Sequence, residues 1–526
     1  LNNLRAALSI FHVGQFANLL MKSLPKPVVG FFAALMGAVA MVTLFYFTAW
    51  AKEPAPAINV DTTPIVRDVK AVTSFAPVVK KAAPSVVNIF STHIIHERLY
   101  RNPMFNDPLF RQFFGDPSGQ DDGNQRERTR REQSLGSGII ISPDGYILTA
   151  NHVVEGMDEI KVAIPDSKQE YTAKVVGADP PTDVAVLKID ATGLSAITLG
   201  DSDQLEVGDV VLAIGNPFNV GQSVTMGIVS AVGRNGLAGF NQYQDFIQTD
   251  AAINPGNSGG ALVDAEGRLI GINTMIKSSS MGNEGIGFAV PVNLARHVME
   301  RLISGGKVAR GFLGIHMQDV DAGLAPFFKL SSQNGVLVDD VMPGTPADKA
   351  GIKPGDFVTE FNGKAVDDGN SLQLKISESA PGSDATMKLI RNGTATTVTA
   401  KLAELPIEVA QNNSAPTVPA STKADALDGV SFADLDREAR QALKTPANLQ
   451  GALVAEVNPD SNAAEAGLHR GDIILEINRQ LVRDAETAVK MCEQAKGKRI
   501  LVRVWRHRGG LDGTRWLTVD NTSHAN

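Results

Sequence analysis

Between Val86 and Val290 the chain is a series of short apolar runs, among them SGIIIS, GYILTA, IKVAIP, YTAKVVG, DVAVLKI, DVVLAIG, SVTMGIVSAV, FIQTD, GALVD and RLIGINTMI. Each is four to ten residues long, rich in Val, Ile and Thr, and closed by Gly, Asp, Asn or Pro. That pattern predicts many short strands in an all-β barrel or sandwich. A helical period returns in VNLARHVMERLISGG, which predicts a helix that closes the domain. Residues 93–133 carry aromatic, charged, Gly and Pro residues without period and read as a long loop insertion. Within it RERTRRE, Arg126 to Glu132, mixes both signs and reads as a solvated loop.

The C-terminal half repeats itself. GVLVDDVMPGTPADKAGIKPGDFVTEFNGKAV from Gly335 aligns without a gap on GALVAEVNPDSNAAEAGLHRGDIILEINRQLV from Gly451. Chance alternation would not preserve A-x-x-A-G-x-x-x-G-D over that length, so a module has been duplicated. Two copies make two autonomous domains and not a solenoid. The boundaries expected are a first domain over 73–305 and modules over 308–404 and 425–522. Between the modules, 405–424 is rich in Asn, Pro, Ser and Thr and reads as a linker.

The N-terminal 51 residues change the picture of where the protein works. Val28 to Ala51 contains no charged residue and is bracketed by Lys22, Lys26, Lys52 and Glu53. About 20 apolar residues span a bilayer as a helix. Segment 1–51 is therefore expected to enter a membrane, at least in transit, and residues 52–72 form a Pro-rich linker. Ala49-Trp50-Ala51 fits an A-x-A cleavage site, and Met21 would start a signal sequence naturally. The expectation is a secretion signal, with a permanent membrane anchor as the alternative. Either exports the rest of the chain, to the periplasm if the source is a Gram-negative bacterium.

Composition narrows the classes further. A chain of 526 residues with 43% apolar residues holds several globular domains. A net charge of −8 without a long basic run excludes a concentrated nucleic-acid-binding face. The single cysteine, Cys492, excludes intrachain disulfides and a multi-cysteine metal site; its apolar-periodic setting makes it a core thiol.

The candidate chemistry lies in NPGNSGG, Asn254 to Gly260, where one hydroxyl stands among three glycines. Glycines suit a tight turn. They equally suit a nucleophile whose neighbours leave room for substrate and present backbone N–H groups to it. A serine needs a base, and the base needs a group that holds its tautomer. His152 in TANHVV ends a β-type run, and Asp183 in TDVAVLKI opens an otherwise apolar strand, where its charge needs partners. The order His, Asp, Ser is one of the three known for this constellation.

TANHVV, TDVAVL, NPGNSGGAL and GNPF (Gly215 to Phe218), followed by the duplicated modules, resemble the HtrA/Deg family of exported serine proteases. The resemblance covers nearly everything after Thr73, and the two modules are similar to PDZ domains, as in the family's DegP/DegQ-like branch. It implies a mainly β protein, a chymotrypsin-like double β-barrel followed by two PDZ domains. It also implies the roles of nucleophile for Ser258, base for His152 and orienting acid for Asp183, with the N–H groups of Gly256 and Ser258 as oxyanion hole. No metal or cofactor is expected.

The resemblance places the substrate pocket at Ile253 and at Thr274, Met275 and Ile276. None is acidic, so small or branched apolar side chains are favoured over Lys or Arg; the alternative for Ile253 and Ile276 is that they are simply core. It assigns RGFLGI, through Gly311, Phe312, Leu313 and Gly314, to a loop that captures a peptide carboxylate. In the second module Asp428 of LDGVSF would repel an anion, leaving a spacer, an assembly contact or a plain structural domain. GRNGLAGFNQYQ, Gly233 to Gln244, fits an activation loop with Arg234 as the contact that reports the active state. The partners implied are misfolded polypeptides and apolar C-terminal peptides, with a homo-oligomer built on trimers. The rival function is a peptide-binding chaperone without catalysis.

Overall fold

A computed structural model describes residues 56–65, 67, 74–97, 128–165, 169–216, 221–236, 243–276, 284–406, 425–427, 429–507 and 513–522. The apolar segment Val28 to Ala51, the centre of the 93–133 insertion, Asp428, most of the linker between the modules and the middle of Gly233 to Gln244 lie outside them. Among the described residues no helix is long and apolar enough to cross a membrane.

The chain is mainly β, and its first domain is a pair of closed six-stranded barrels. The first is made of β1 (Val86–Glu97), β2 (Arg128–Ile140), β3 (Tyr146–Ala150), β4 (Glu159–Ala163), β5 (Glu170–Asp179) and β6 (Val184–Ile189), in the order β1-β2-β3-β6-β5-β4. The second is made of β7 (Val210–Gly215), β8 (Ser223–Arg234), β9 (Phe246–Thr249), β10 (Ala261–Val263), β11 (Leu269–Ile276) and β12 (Gly287–Pro291), in the order β10-β11-β12-β9-β8-β7. Runs such as SGIIIS lack alternation because both faces are buried. Ile140 enters the first barrel with Val87 and Leu187. Its neighbours Ile139 and Ile141 enter a second core shared with Leu212, Ile272 and Val290 of the other barrel. This shared core welds the barrels and fixes the cleft between them.

Among the described residues three helices border the domain: α1 (Ala76–Ala82), α2 (Asn151–Val154) and the closing helix α3 (Val292–Gly305). Helix α3 buries Leu294, Ala295, Val298, Met299 and Leu302, one helical stripe, against strands of both barrels.

Two boundaries differ from expectation. Strands β1 and β2 run into the 93–133 insertion from both sides and stay paired out to Glu97 opposite Arg128. Ladder hydrogen bonds from a partner strand carry polar, charged sequence into extended form, a tertiary effect that local composition does not report. The described part of the Pro-rich linker, residues 56–65 and 67, is not free either. Residues around Val60 pair with Leu199, and Thr63 accepts from the buried Arg268 at 2.6 Å. Arg67 pairs with Asp209 at 2.8 Å, so the segment straps the second barrel.

The two repeated modules share one plan. The first contains β13 (Gly311–Phe312), β14 (Ile315–Asp319), β15 (Val336–Val341), α4 (Pro346–Lys349), β16 (Phe357–Phe361), β17 (Lys364–Ala365), α5 (Gly369–Glu378), β18 (Asp384–Arg391), β19 (Thr394–Lys401) and β20 (Ala403–Glu404). The second contains β21 (Asp425–Leu427), β22 (Val430–Asp434), α6 (Arg437–Ala442), β23 (Ala452–Val457), α7 (Asn462–Glu465), β24 (Ile473–Ile477), β25 (Gln480–Leu481), α8 (Ala485–Gln494), β26 (Arg499–Arg506) and β27 (Gly513–Asp520). Asp368 and Asp484 cap equivalent helices by accepting from the Ser371 and Thr487 N–H groups. Cys492 lies in the second module's core, where burial pushes its thiol up to about 12, as suits an inert core residue.

Candidate active site

Strand β5 ends at Asp179, and Pro180–Thr182 form a single 3₁₀ turn. Asp183 leaves that turn with φ 56 and ψ 37, left-handed values that Asp tolerates better than most residues. The turn swings its buried carboxylate toward α2. There it accepts from the His152 N–H at 3.0 Å and meets His152 Nδ1 at 2.9 and 3.0 Å through its two oxygens. The Thr274 hydroxyl donates to the same carboxylate. These contacts hold the imidazole with Nδ1 inward, which leaves Nε2 as the working nitrogen. His152 itself is about half exposed to the cleft.

The serine turn is built by its glycines and by one buried hydroxyl. Asn257 N–H closes the turn on Asn254 O at 2.9 Å, and Gly256 adopts φ 101. A Cβ on Gly259 would stand 2.2 Å from Ser137 O and 2.3 Å from Thr149 Oγ1, so only glycine lets the turn settle against the first barrel. Ser137 then clamps the turn. Its hydroxyl donates to Gly256 O at 2.7 Å, and its N–H donates to Ser258 O at 2.8 Å. The same hydroxyl accepts from the Asn216 N–H at 3.0 Å. With the Gly256 carbonyl tied away, the N–H groups of Gly256 and Ser258 have no acceptor among the described residues. Two unpaired donors beside a serine are what an oxyanion hole requires.

Ser258 and His152 are not hydrogen-bonded to each other. The Ser258 hydroxyl donates to Thr274 O at 3.0 Å. Thr274 thus touches both ends of the constellation, its hydroxyl on Asp183 and its carbonyl on Ser258. Reaching Nε2 requires rotation of the serine side chain, a looseness common in substrate-free hydrolases.

Comparison with known proteins decides what this arrangement belongs to. A family model for trypsin-like peptidase domains matches residues 136–272, and two PDZ domain models match 311–402 and 453–506. A probable periplasmic serine endoprotease DegP-like of Chlamydia trachomatis is 41% identical over 82% of this chain and 86% of its own. The periplasmic serine endoprotease DegP of Salmonella typhimurium is 38% identical over 85% of this chain and 92% of its own. The solved structure of the HtrA-type protease AlgW with a tripeptide is 44% identical and covers 63% of this chain and 98% of its own, with a TM-score of 0.51.

The chain belongs to the DegP-like, HtrA-type serine endoproteases.

This DegP-like protease is a serine endopeptidase with two PDZ domains. Of the expected pocket residues, Ile253 is 1% exposed and packs in the core of the second barrel. Thr274 gives its hydroxyl to Asp183 and so presents no free side chain to a substrate. Met275 and Ile276 continue β11, and their side chains lie outside the described residues. In the expected carboxylate loop, Gly311 and Phe312 form β13, Leu313 is buried and Gly314 turns at φ 85. Phe312 lines a cavity of about 550 Å³ with Thr345, Pro346, Lys349 and Leu402. Arg234, at the end of β8, donates to Gln248 on β9 at 2.9 Å, within its own hairpin; among the described residues no hydrogen bond or ion pair ties its side chain to the catalytic turn.

Contacts that sequence reasoning did not foresee join the PDZ domain to the active site. Arg310, immediately before the carboxylate loop, grips Asp179 with two hydrogen bonds of 2.9 and 2.6 Å. Asp179 also accepts from the hydroxyl of Thr182, the residue before the triad acid, at 2.5 Å. The Arg310 guanidinium lies 4.5 Å over the ring of Tyr243, whose N–H donates to Pro181 O at 3.3 Å. A signal existed for the pair: an acid ending the apolar strand at Asp179 and a cation opening RGFLGI.

Proposed function

We propose that this chain is an exported, periplasmic quality-control protease that cleaves misfolded envelope proteins. In this reading Ser258 attacks the scissile carbonyl, and His152 Nε2 takes its proton and returns it to the leaving amine. Asp183 holds the imidazole and balances its charge, while the Gly256 and Ser258 N–H groups receive the oxyanion. The observation that carries the reading is the Asp183–His152 pair facing a serine turn with two unpaired N–H donors. The relatives named as periplasmic endoproteases support the location.

A chain carrying Ser258→Ala should lose cleavage of fluorescent casein by three or more orders of magnitude, roughly the cost of a triad member. Its fold and its binding of unfolded polypeptide should persist. Cleavage within tenfold of the native rate would overturn the assignment, and a native chain that binds casein without cutting it would favour the chaperone reading.

We further propose that apolar peptides with a free C-terminus bind PDZ1 and activate the protease. The Arg310–Asp179 pair supports this, because a shift of the carboxylate loop pulls on the turn that carries Asp183. For activation the peptide must bind the competent state more tightly than the resting one. A peptide and its C-terminal amide, titrated against cleavage of an unrelated reporter, test it: equal activation by both would remove the carboxylate from the mechanism.

A further inference from the structure

The edge of PDZ1 that would take a peptide is walled by PDZ2. Strand β14 ends its sheet, paired to β15 on one side only. A cavity of about 410 Å³ is lined by four consecutive residues of β14, His316 to Asp319. Successive strand residues face opposite sides of a sheet, so a cavity touched by four in a row lies along the strand's open edge. Its other wall comes from PDZ2, through Arg506, Thr514 and Arg515. That wall is held in place. Gln318 exchanges two hydrogen bonds with the Trp516 backbone, at 2.8 and 3.1 Å, and Thr514 donates to Asp339 O at 2.9 Å. Leu501 and Trp516 bury their side chains against Phe328, Leu337 and Phe357 of PDZ1.

Two side chains in this cavity lack partners. Arg515 is exposed and makes no ion pair or hydrogen bond among the described residues, whereas Arg506 is already held by Asp472 at 2.5 Å. Asp339 is 3% exposed, lines the cavity, and its Oδ1 has no hydrogen-bond partner among the described residues. Burial pushes its carboxyl up to about 8, so at neutral pH it holds a proton and acts as a donor.

We propose that PDZ1 and PDZ2 form one composite peptide site, in which Arg515, with Asp339 beside it, selects an acidic side chain upstream of the peptide's C-terminus. The proposal rests on the reading that PDZ1 adds a peptide strand to β14. In such a strand every second side chain shares the sheet face of His316 and Gln318, which is the face PDZ2 covers. A carboxylate arriving there meets an unpaired guanidinium and a carboxylic acid proton; a lysine meets the like charge of Arg515 and no anion to balance its own.

The test uses the full chain carrying Ser258→Ala and fluorescein-labelled decapeptides ending in a free valine. The peptides have Glu, Ala or Lys at both the second and fourth residues from the end. Fluorescence anisotropy should show the Glu peptide binding at least about fivefold more tightly than the Lys peptide, the size of a partly exposed ion pair. Arg515→Ala should erase that preference and Arg515→Glu should invert it. Unchanged affinity for the Ala peptide reports that both variants are folded. Equal binding of Glu and Lys peptides to the native site, or a preference that survives Arg515→Glu, overturns the composite site while leaving the groove. Amidated peptides that bind as tightly as free ones overturn the groove reading, and the composite site with it.

Discussion

The chemistry at Ser258 is set by residues that never touch a substrate. Ser137 is buried, and its hydroxyl and N–H are both spent on the catalytic turn. Removing the hydroxyl in Ser137→Ala frees the Gly256 carbonyl, so the backbone at Gly256 loosens and its N–H loses its fixed aim at the oxyanion. We expect kcat on a fluorogenic peptide to fall about 10- to 100-fold, in the range for supporting groups and single oxyanion donors. Labelling by a serine-directed fluorophosphonate should slow in parallel, and the fold should persist. An unchanged labelling rate would show that the turn holds itself. Ser137 was open to detection from sequence: a serine inside the buried run SGIIIS must find a partner.

At the scale of elements, the shared core between the barrels is what holds the two halves of the cleft at one spacing. Helix α3 seals it, and Leu302 is its last buried residue, set where Gly177 of β5 leaves room. A Cβ at Gly177 would approach Leu302 Cδ2 to 2.9 Å. Leu302→Ala should therefore cost about 2 to 5 kcal/mol of protease-domain stability, as for a large-to-small change in a packed core. Denaturant unfolding followed by tryptic resistance reads this, and a cost under about 1 kcal/mol would mean that the helix end collapses onto the gap.

Over the whole molecule, the PDZ domains are fastened by an apolar cluster that traps a carboxyl. Around Asp339 stand Arg515 and Arg503, which favour its charge, and Asp340, which opposes it; burial outweighs them all. Its folded pKa of about 8 lies well above the ordinary aspartate range, so the folded form keeps a proton that the unfolded chain has lost. The stability linked to this group is complete below about pH 4 and is lost as pH rises through about 8. Asp339→Asn should remove that slope. The variant's Tm should exceed the native value by a few degrees at pH 8 and approach it near pH 5. Parallel Tm profiles for the two chains would show that Asp339 ionises freely in the folded protein.

The sequence by itself determined the elements and the chemistry. Short apolar runs rich in Val, Ile and Thr and broken by turn residues make strands, and a gap-free repeat makes two modules. The triad types His152, Asp183 and Ser258 were legible because each breaks a local pattern: a base ending a strand, a charge opening one, a hydroxyl among glycines. Tertiary structure alone decided what long-range contacts control. The hairpin arms of β1 and β2 extend because they pair with each other, and the segment from Val60 to Thr63 becomes a strap because Arg268 needs acceptors. Thr274 gives its hydroxyl to Asp183 because β11 brings it there from 91 positions away. The Arg310–Asp179 link and the PDZ2 wall along β14 join residues 131 and up to 198 positions apart. No local period encodes such pairs; they exist only once separate domains have packed and their buried charges have found partners.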